Sequence, residues 1–324
     1  MRAPDYWARD GWTARLLRPV GCLYAGIGAR RLRTRRPVRA ALPTICIGNL
    51  VAGGAGKTPL ALALGQHLRL RGYRPAFLSR GYGGCLAGPV RVDPEHHSAA
   101  DVGDEPLLLA VEGPAWIARD RAAGAHAIAA DGTSDCIVLD DGFQSPALVK
   151  DLAFLVVDGG YGFGNGRVMP AGPLREPIAT GLARAQAVVL IGEDRTGAIR
   201  RLPPGLPLFR AVLHPRDPGV QGRVLAFAGI GRPEKFFETL AGTGAEIVGR
   251  RAFSDHHAYR EAEIEQLRRE AASLEARLVT TAKDAVRLPP ACRDGIATLA
   301  VTLRWTEPEA EMGLDRLLNR ILPP

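Results

Sequence analysis

Short apolar runs alternate with amphipathic stretches along most of the chain. Residues 42–47 are apolar, partly β-branched and end at Gly48, which predicts a buried strand. Similar runs at 75–78, 136–139, 153–157 and 187–191 predict four more strands. Between them, 59–70, 104–111 and 115–130 carry helix patterns. Such alternation predicts a mostly parallel sheet covered on both faces. Five prolines from Pro203 to Pro218 mark the best candidate boundary. Beyond them, 223–228, 278–280 and 297–303 read as strands, and 233–240 and 259–275 as helices. Pro233 falls near a first helical position, where its missing N–H does no harm. The expected organisation is an α/β chain of two lobes: an N-terminal segment 1–36, a larger lobe 37–218 and a smaller C-terminal lobe 219–324.

The 324 residues suit two domains, and 46 % apolar with 23 % charged residues excludes a disordered chain. Of 42 basic residues only four are lysine (Lys57, Lys150, Lys235, Lys283), so each lysine draws notice. Five scattered cysteines form no C-x-x-C pair, which argues against a disulfide framework or a structural zinc site. Residues 11–30 are moderately apolar, but Arg15 and Arg18 interrupt them, and the longest uncharged run is 11 residues, 19–29. That is short of the ~20 needed to span a bilayer, and no signal-peptide pattern follows. A cluster of Arg30, Arg31, Arg33, Arg35, Arg36 and Arg39 comes next. Two readings stand side by side: a segment lying in anionic headgroups, or an amphipathic helix packed on the protein with a solvated basic turn. Nucleic-acid binding is weaker, because no nucleic-acid module accompanies the patch.

Residues 48–59 read GNLVAGGAGKTP. The phosphate-loop consensus G-x-x-x-x-G-K-[ST] has its first glycine replaced by Val51; the loop continues Ala52, Gly53, Gly54, Ala55, Gly56, Lys57, Thr58. Glycines allow successive N–H groups to turn toward phosphate oxygens, and the following helix adds its positive end. Lys57 can then bridge outer phosphates, and the Thr58 hydroxyl can hold Mg²⁺. The run CIVLDD places Asp140 and Asp141 at a strand's C-terminal edge, where a carboxylate can hold Mg²⁺. On its own, Asp104-Glu105 reads as acidic helix capping, and Asp255-His256-His257 as a loop feature. A guanine-type N-K-x-D motif is missing, since no Asn precedes any lysine. That weighs against a metal-delivering GTPase, while a non-catalytic, nucleotide-gated membrane-binding protein is the other rival.

Eight segments then occur in order: GNLVAGGAGKTP, SRGYGG, GDEP, VLDDGFQ, GRVMPAGPLREP, AFAGIGRPEKFF, FSDHH and TTAKDAVRL. Together, over nearly the whole chain, they resemble the tetraacyldisaccharide 4′-kinases of lipid A biosynthesis. The resemblance implies two α/β/α lobes, the first a P-loop NTPase-like sheet, behind an N-terminal membrane-associating helix. It implies ATP-dependent phosphorylation of the 4′-hydroxyl of tetraacyldisaccharide 1-phosphate, giving lipid IVA, with Mg²⁺. Its partners are the acylated glucosamine disaccharide and the inner-membrane surface, with no nucleic acid and no protein partner implied. Its place is peripheral, on the cytoplasmic face of the bacterial inner membrane. By resemblance, Asp104 is catalytic and paired with His256, and Glu105 lies near the metal. Residues 51–58 and Gln144 attend the nucleotide, with Thr58, Asp140 and Asp141 at the metal. Arg80, Tyr82, Arg175 and Glu176 fall in motifs lining the substrate side. Two departures, Ser145 where many members have His and Ala282 where many have Glu, leave these assignments intact and remove any shared role for those two side chains.

Overall fold

The computed structural model describes residues 4–216 and 220–322. In chain order the elements are α1 (Trp12–Thr34), β1 (Thr44–Gly48), α2 (Lys57–Leu70), β2 (Pro75–Ser79), β3 (Val90–Arg91), α3 (Ala99–Val102), α4 (Asp104–Glu112), β4 (Ala115–Ile117), α5 (Arg121–Asp131) and β5 (Cys136–Asp140). They continue with β6 (Leu152–Asp158), α6 (Ile178–Leu182), β7 (Ala187–Ile191), β8 (Leu208–Pro215), β9 (Gly222–Ala228), α7 (Pro233–Ala241) and β10 (Ala245–Ala252). The last are α8 (Glu261–Ser273), β11 (Arg277–Thr281), α9 (Ala282–Ala285), β12 (Ile296–Leu299), β13 (Val301–Trp305) and α10 (Ala310–Leu318).

A nine-stranded sheet has the order β13-β8-β7-β6-β1-β5-β2-β4-β3. It is parallel except at its edges, where β3 and β13 run antiparallel to their neighbours. Every residue of β1, β2, β5, β6 and β7 is buried, because their continuous apolar runs are covered on both faces. Gly65 in α2 permits one close approach: a Cβ there would lie 2.4 Å from Cζ of Phe77 on β2. A second, all-parallel sheet has the order β10-β9-β11-β12.

Three expectations need correction. The helix read over 115–130 is a strand followed by a helix. Residues 115–117 pair with β2, and Asp120 then caps α5 by accepting N–H bonds from Ala122 and Ala123. The strand read over 297–303 is two strands in different sheets, β12 beside β11 and β13 beside β8. Consequently the smaller lobe does not run to the C-terminus as expected for 219–324. From Val301 the chain rejoins the large sheet, and Leu314, Leu317 and Leu318 of α10 share its core with Leu64 and Leu68 of α2. The expected boundary at 218/219 lies outside the described residues. Strands β8 and β10 were not anticipated, the first because it lies inside the proline cluster, the second because its residues mix polar and apolar without a period.

Helix α1 lies against the turn at 166–171, where a Cβ on Gly21 would come within 2.7 Å of the Val168 carbonyl. Trp7 Nε1 donates to Pro170 O at 3.1 Å, and Arg167 Nε to Asp10 at 2.8 Å. Only Ala14 and Gly21 of α1 are buried. Trp12, Leu16, Val20, Leu23 and Ile27 are exposed at spacings of four, four, three and four residues, hence on one face. Among the described residues no helix is long and apolar enough to cross a membrane.

Candidate active site

The central strand β1 feeds the glycine-rich loop, and α2 begins at Lys57. Gly53 (φ 113°) and Gly56 (φ 92°) take left-handed conformations that favour glycine. Val51 makes an antiparallel bridge to Leu174, and Ala52 N–H donates to Pro173 O at 2.8 Å. This explains the missing first glycine: the position is extended and tied to the PAGPLREP segment, which suits a β-branched residue. A Cβ on Gly53 or Gly54 would meet no atom within 4 Å, so the loop borders open space. Asn49 secures the base of the loop, donating to Val51 O at 2.7 Å and accepting from Lys57 Nζ at 3.3 Å.

At the end of β5 the two acids diverge, since Asp141 (φ 49°) turns left-handed. Asp140 is buried; its Oδ2 accepts from the Thr58 hydroxyl at 3.4 Å, and its Oδ1 has no hydrogen-bond partner. Burial pushes its carboxyl up to about 6, against the opposing pull of Lys57. Asp141 is held below the usual carboxylate range, because Lys57 (3.6 Å) and Arg175 (2.8 Å) overcome the cost of its burial. Arg175 also donates to Gln144 Oε1 at 3.3 Å. Gln144 Nε2 reaches Asn49 O at 2.8 Å and Glu176 at 3.1 Å, and Glu176 is paired with Arg184.

Asp104 opens α4 and is 2 % exposed. Gly103 (φ 89°) precedes it where a Cβ would strike the Tyr82 carbonyl at 2.5 Å. The small lobe supplies its partners: His256 Nδ1 at 3.0 Å, Arg287 Nε at 3.1 Å and Lys283 Nζ at 3.7 Å, all on Oδ2. Burial raises the Asp104 pKa, but the hydrogen bonds and charges around it win, so the group is held far below its ordinary value. Glu105 is pushed up to about 7, by burial first and then by Asp104, with Lys283 at 2.6 Å pulling the other way. His256 has φ 56°, an uncommon conformation for a non-glycine residue, secured by its N–H on Gly229 O at 3.1 Å. Tyr82 sets its ring edge against His256 with centroids 5.3 Å apart.

The Asp104 cluster and the phosphate loop adjoin. A Cβ on Gly231 would lie 3.5 Å from Gly54 N and 3.4 Å from Asp255 Oδ2, and Asp255 Oδ1 is 3.9 Å from His256 Nε2. A model of the family Tetraacyldisaccharide-1-P 4′-kinase matches residues 13–319. The chain belongs to that family. A tetraacyldisaccharide 4′-kinase of Rhodospirillum rubrum is 53 % identical over 332 residues, covering all of both chains. One from Gluconacetobacter diazotrophicus is 52 % identical over 98 % of each. A solved structure of LpxK from Aquifex aeolicus, in complex with ATP, aligns with a TM-score of 0.76 at 26 % identity, over 95 % of this chain and 99 % of that one.

Within this member of the family, the structure brings Asp104, Glu105, His256 and Tyr82 into one cluster. It brings Lys57, Thr58, Asp140, Asp141, Gln144 and Arg175 into another. Glu176 serves as the buried partner of Arg184 and Gln144. Arg80 is exposed, two residues before Tyr82. Sequence reasoning missed Asn49, Arg184 and Arg287. Arg287 stood one helical turn after Lys283 in TTAKDAVRL, a spacing that puts both cations on one face.

Proposed function

We propose that this kinase transfers the γ-phosphoryl group of ATP to the 4′-hydroxyl of tetraacyldisaccharide 1-phosphate, giving lipid IVA. The observation that carries the reading is Asp104, buried and paired with His256, Arg287 and Lys283, in a cluster that adjoins an open glycine loop. The loop amides and Lys57 bind the triphosphate. Asp104 accepts the proton of the sugar hydroxyl as the phosphoryl group departs, its weak basicity offset by placement. His256 orients the carboxylate and shares the proton. Because Asp104 and His256 come from different lobes, the site is complete only with the lobes together, which excludes water.

Mg²⁺ fits the residues present. Asp140 presents a buried oxygen with no partner, the Thr58 hydroxyl adjoins it, and the donors are all oxygen. When bound, Mg²⁺ neutralises charge on the outer phosphates. Asp140 and Thr58 would hold it; Asp141 is paired with Lys57 and Arg175, and Glu105 with Lys283.

Peripheral attachment to the cytoplasmic face of the inner membrane is part of this proposal, and the exposed face of α1 supports it. Its apolar stripe ends in exposed Arg30, Arg31, Arg33, Arg35 and Arg36. Each arginine near an anionic leaflet contributes about 1 kcal/mol. The test of the whole reading is transfer of label from γ-labelled ATP to an acylated glucosamine disaccharide. Wild-type protein should form labelled lipid, and Asp104→Ala should lose orders of magnitude in turnover while still binding ATP. Unchanged turnover in that variant removes Asp104 from the chemistry.

A further inference from the structure

Oδ2 of Asp104 faces three cationic groups, whereas Oδ1 accepts the N–H of Glu105 at 3.0 Å, and the Glu105 carboxyl also hydrogen-bonds the Asp104 carboxyl. Of the three cations, Arg287 is the most constrained. Its side chain is 6 % exposed. Its Nε–H donates to Lys283 O at 3.1 Å while Nε lies 3.1 Å from Asp104 Oδ2 as an ion pair; its Nη1 donates to Gly229 O at 2.9 Å and to His257 O at 3.4 Å, and its Nη2 lies 3.4 Å from Asp284. Asp284 is itself fully buried and tied down, accepting from Gly229 N–H at 2.9 Å, the Tyr259 hydroxyl at 2.8 Å and the Thr281 hydroxyl at 2.6 Å. The guanidinium is therefore held on several sides before it meets Asp104.

We propose that Arg287 is a positioning residue for phosphoryl transfer: hydrogen bonds to three carbonyls fix its guanidinium so that its charge sits against Oδ2 of Asp104, and the same fork ties down the loop that carries His256. This rests on Asp104 being the base. Gly229 O, which accepts from Arg287, also accepts the His256 N–H at 3.1 Å, so one residue sets both members of the Asp104–His256 pair. With Oδ2 taken, Oδ1 is the oxygen left for the acceptor hydroxyl. A lysine offers one point charge and cannot hold three carbonyls in fixed directions beside a carboxylate. Lys283 illustrates this: it lies 3.7 Å from Asp104 and makes its shorter contact, 2.6 Å, with Glu105.

The experiment measures kcat and KM for ATP in the full chain with Arg287→Ala, Arg287→Lys and Asp104→Ala. Loss of positioning should lower kcat of Arg287→Ala by about 100-fold, the scale set by misplacement of a reacting group by about 1 Å. KM for ATP should stay within about threefold, because among the described residues no hydrogen bond or ion pair joins Arg287 to the phosphate loop. Added guanidinium ion, at concentrations well below denaturing, should restore part of kcat in Arg287→Ala and none in Arg287→Lys. Arg287→Ala combined with Asp104→Ala should be no slower than Asp104→Ala alone. Unchanged kcat in Arg287→Ala overturns the proposal. So does a loss that tracks the unfolded fraction by circular dichroism without guanidinium rescue. If Arg287→Ala does not fold, Arg287→Lys at wild-type kcat overturns it instead. Should Asp104→Ala itself turn over normally, the reading of the base fails; should Asp104→Ala be inactive while both Arg287 variants are normal, only the role of Arg287 fails.

Discussion

Asp140→Asn isolates the charge that the proposed metal site imposes on the metal-free fold. Asp140 is 2 % exposed, and its carboxyl moves from an ordinary value of 3.8 up to about 6. Each pKa unit is worth about 1.4 kcal/mol, so ionised Asp140 costs the fold about 3 kcal/mol. The sign follows from the raised value. The native state holds the proton more tightly than the unfolded chain, so stability falls as pH rises from about 4 through 6 and the full penalty applies above. Asn stays neutral throughout and keeps an oxygen for the Thr58 hydroxyl. Its amide takes the place of an unpartnered oxygen, at a cost of about 1–3 kcal/mol that does not vary with pH. The measurement is urea unfolding in EDTA at pH 8 and pH 4. The variant's stability relative to wild type should improve by about 3 kcal/mol between pH 4 and pH 8. Mg²⁺ with nucleotide should then stabilise wild type more than the variant, and phosphoryl transfer by the variant should collapse. A stability difference equal at both pH values would refute the argument that the carboxylate is held ionised against its burial.

Three further outcomes follow from other parts of the fold. Asp158, at the end of β6, pairs across the lobes with Arg232 and with Lys235 at 2.8 Å. Those cations hold its carboxyl below the usual range despite burial, so its contribution is present above pH about 4 and fades as pH drops through the lowered value. In urea titrations Asp158→Asn should differ from wild type at pH 6 and converge with it below pH 4; a constant gap excludes this pairing as the cause. Gly65→Ala should lower the thermal midpoint, because overpacking against Phe77 costs about 1–3 kcal/mol and the gain in helix propensity returns at most about 1. A raised midpoint would show that Phe77 yields easily. Leu16→Asp with Leu23→Asp should weaken sedimentation with anionic vesicles while leaving ATP binding intact; undiminished sedimentation would place membrane contact elsewhere.

Much of the architecture was legible because its signals are local. TICIG, CIVLD, LAFLVVD and AVVLI read as buried strands from composition alone, since a strand covered on both faces needs no partner's identity to be recognised. The glycines, Lys57 and Thr58 were equally plain, because the loop's backbone demands are met by adjacent residues. Misreadings arose where neighbours in sequence part company in space. Residues 297–303 look like one strand, yet Leu299 and Val301 sit in different sheets. Asp104 and Glu105, taken alone, are an ordinary helix start. They become the centre of a buried charge cluster only when His256, Lys283 and Arg287, more than 150 residues further along, are brought against them.

The amino-acid order by itself pointed to most of the buried strands, to the glycine-rich loop and to the acids that end β5, since each depends on groups a few residues apart. Tertiary structure alone decided that the chain returns to its first sheet and how Asp104 is charged. The state of that carboxylate is a balance between burial and cations contributed by the other lobe, and neither quantity exists until the two lobes meet.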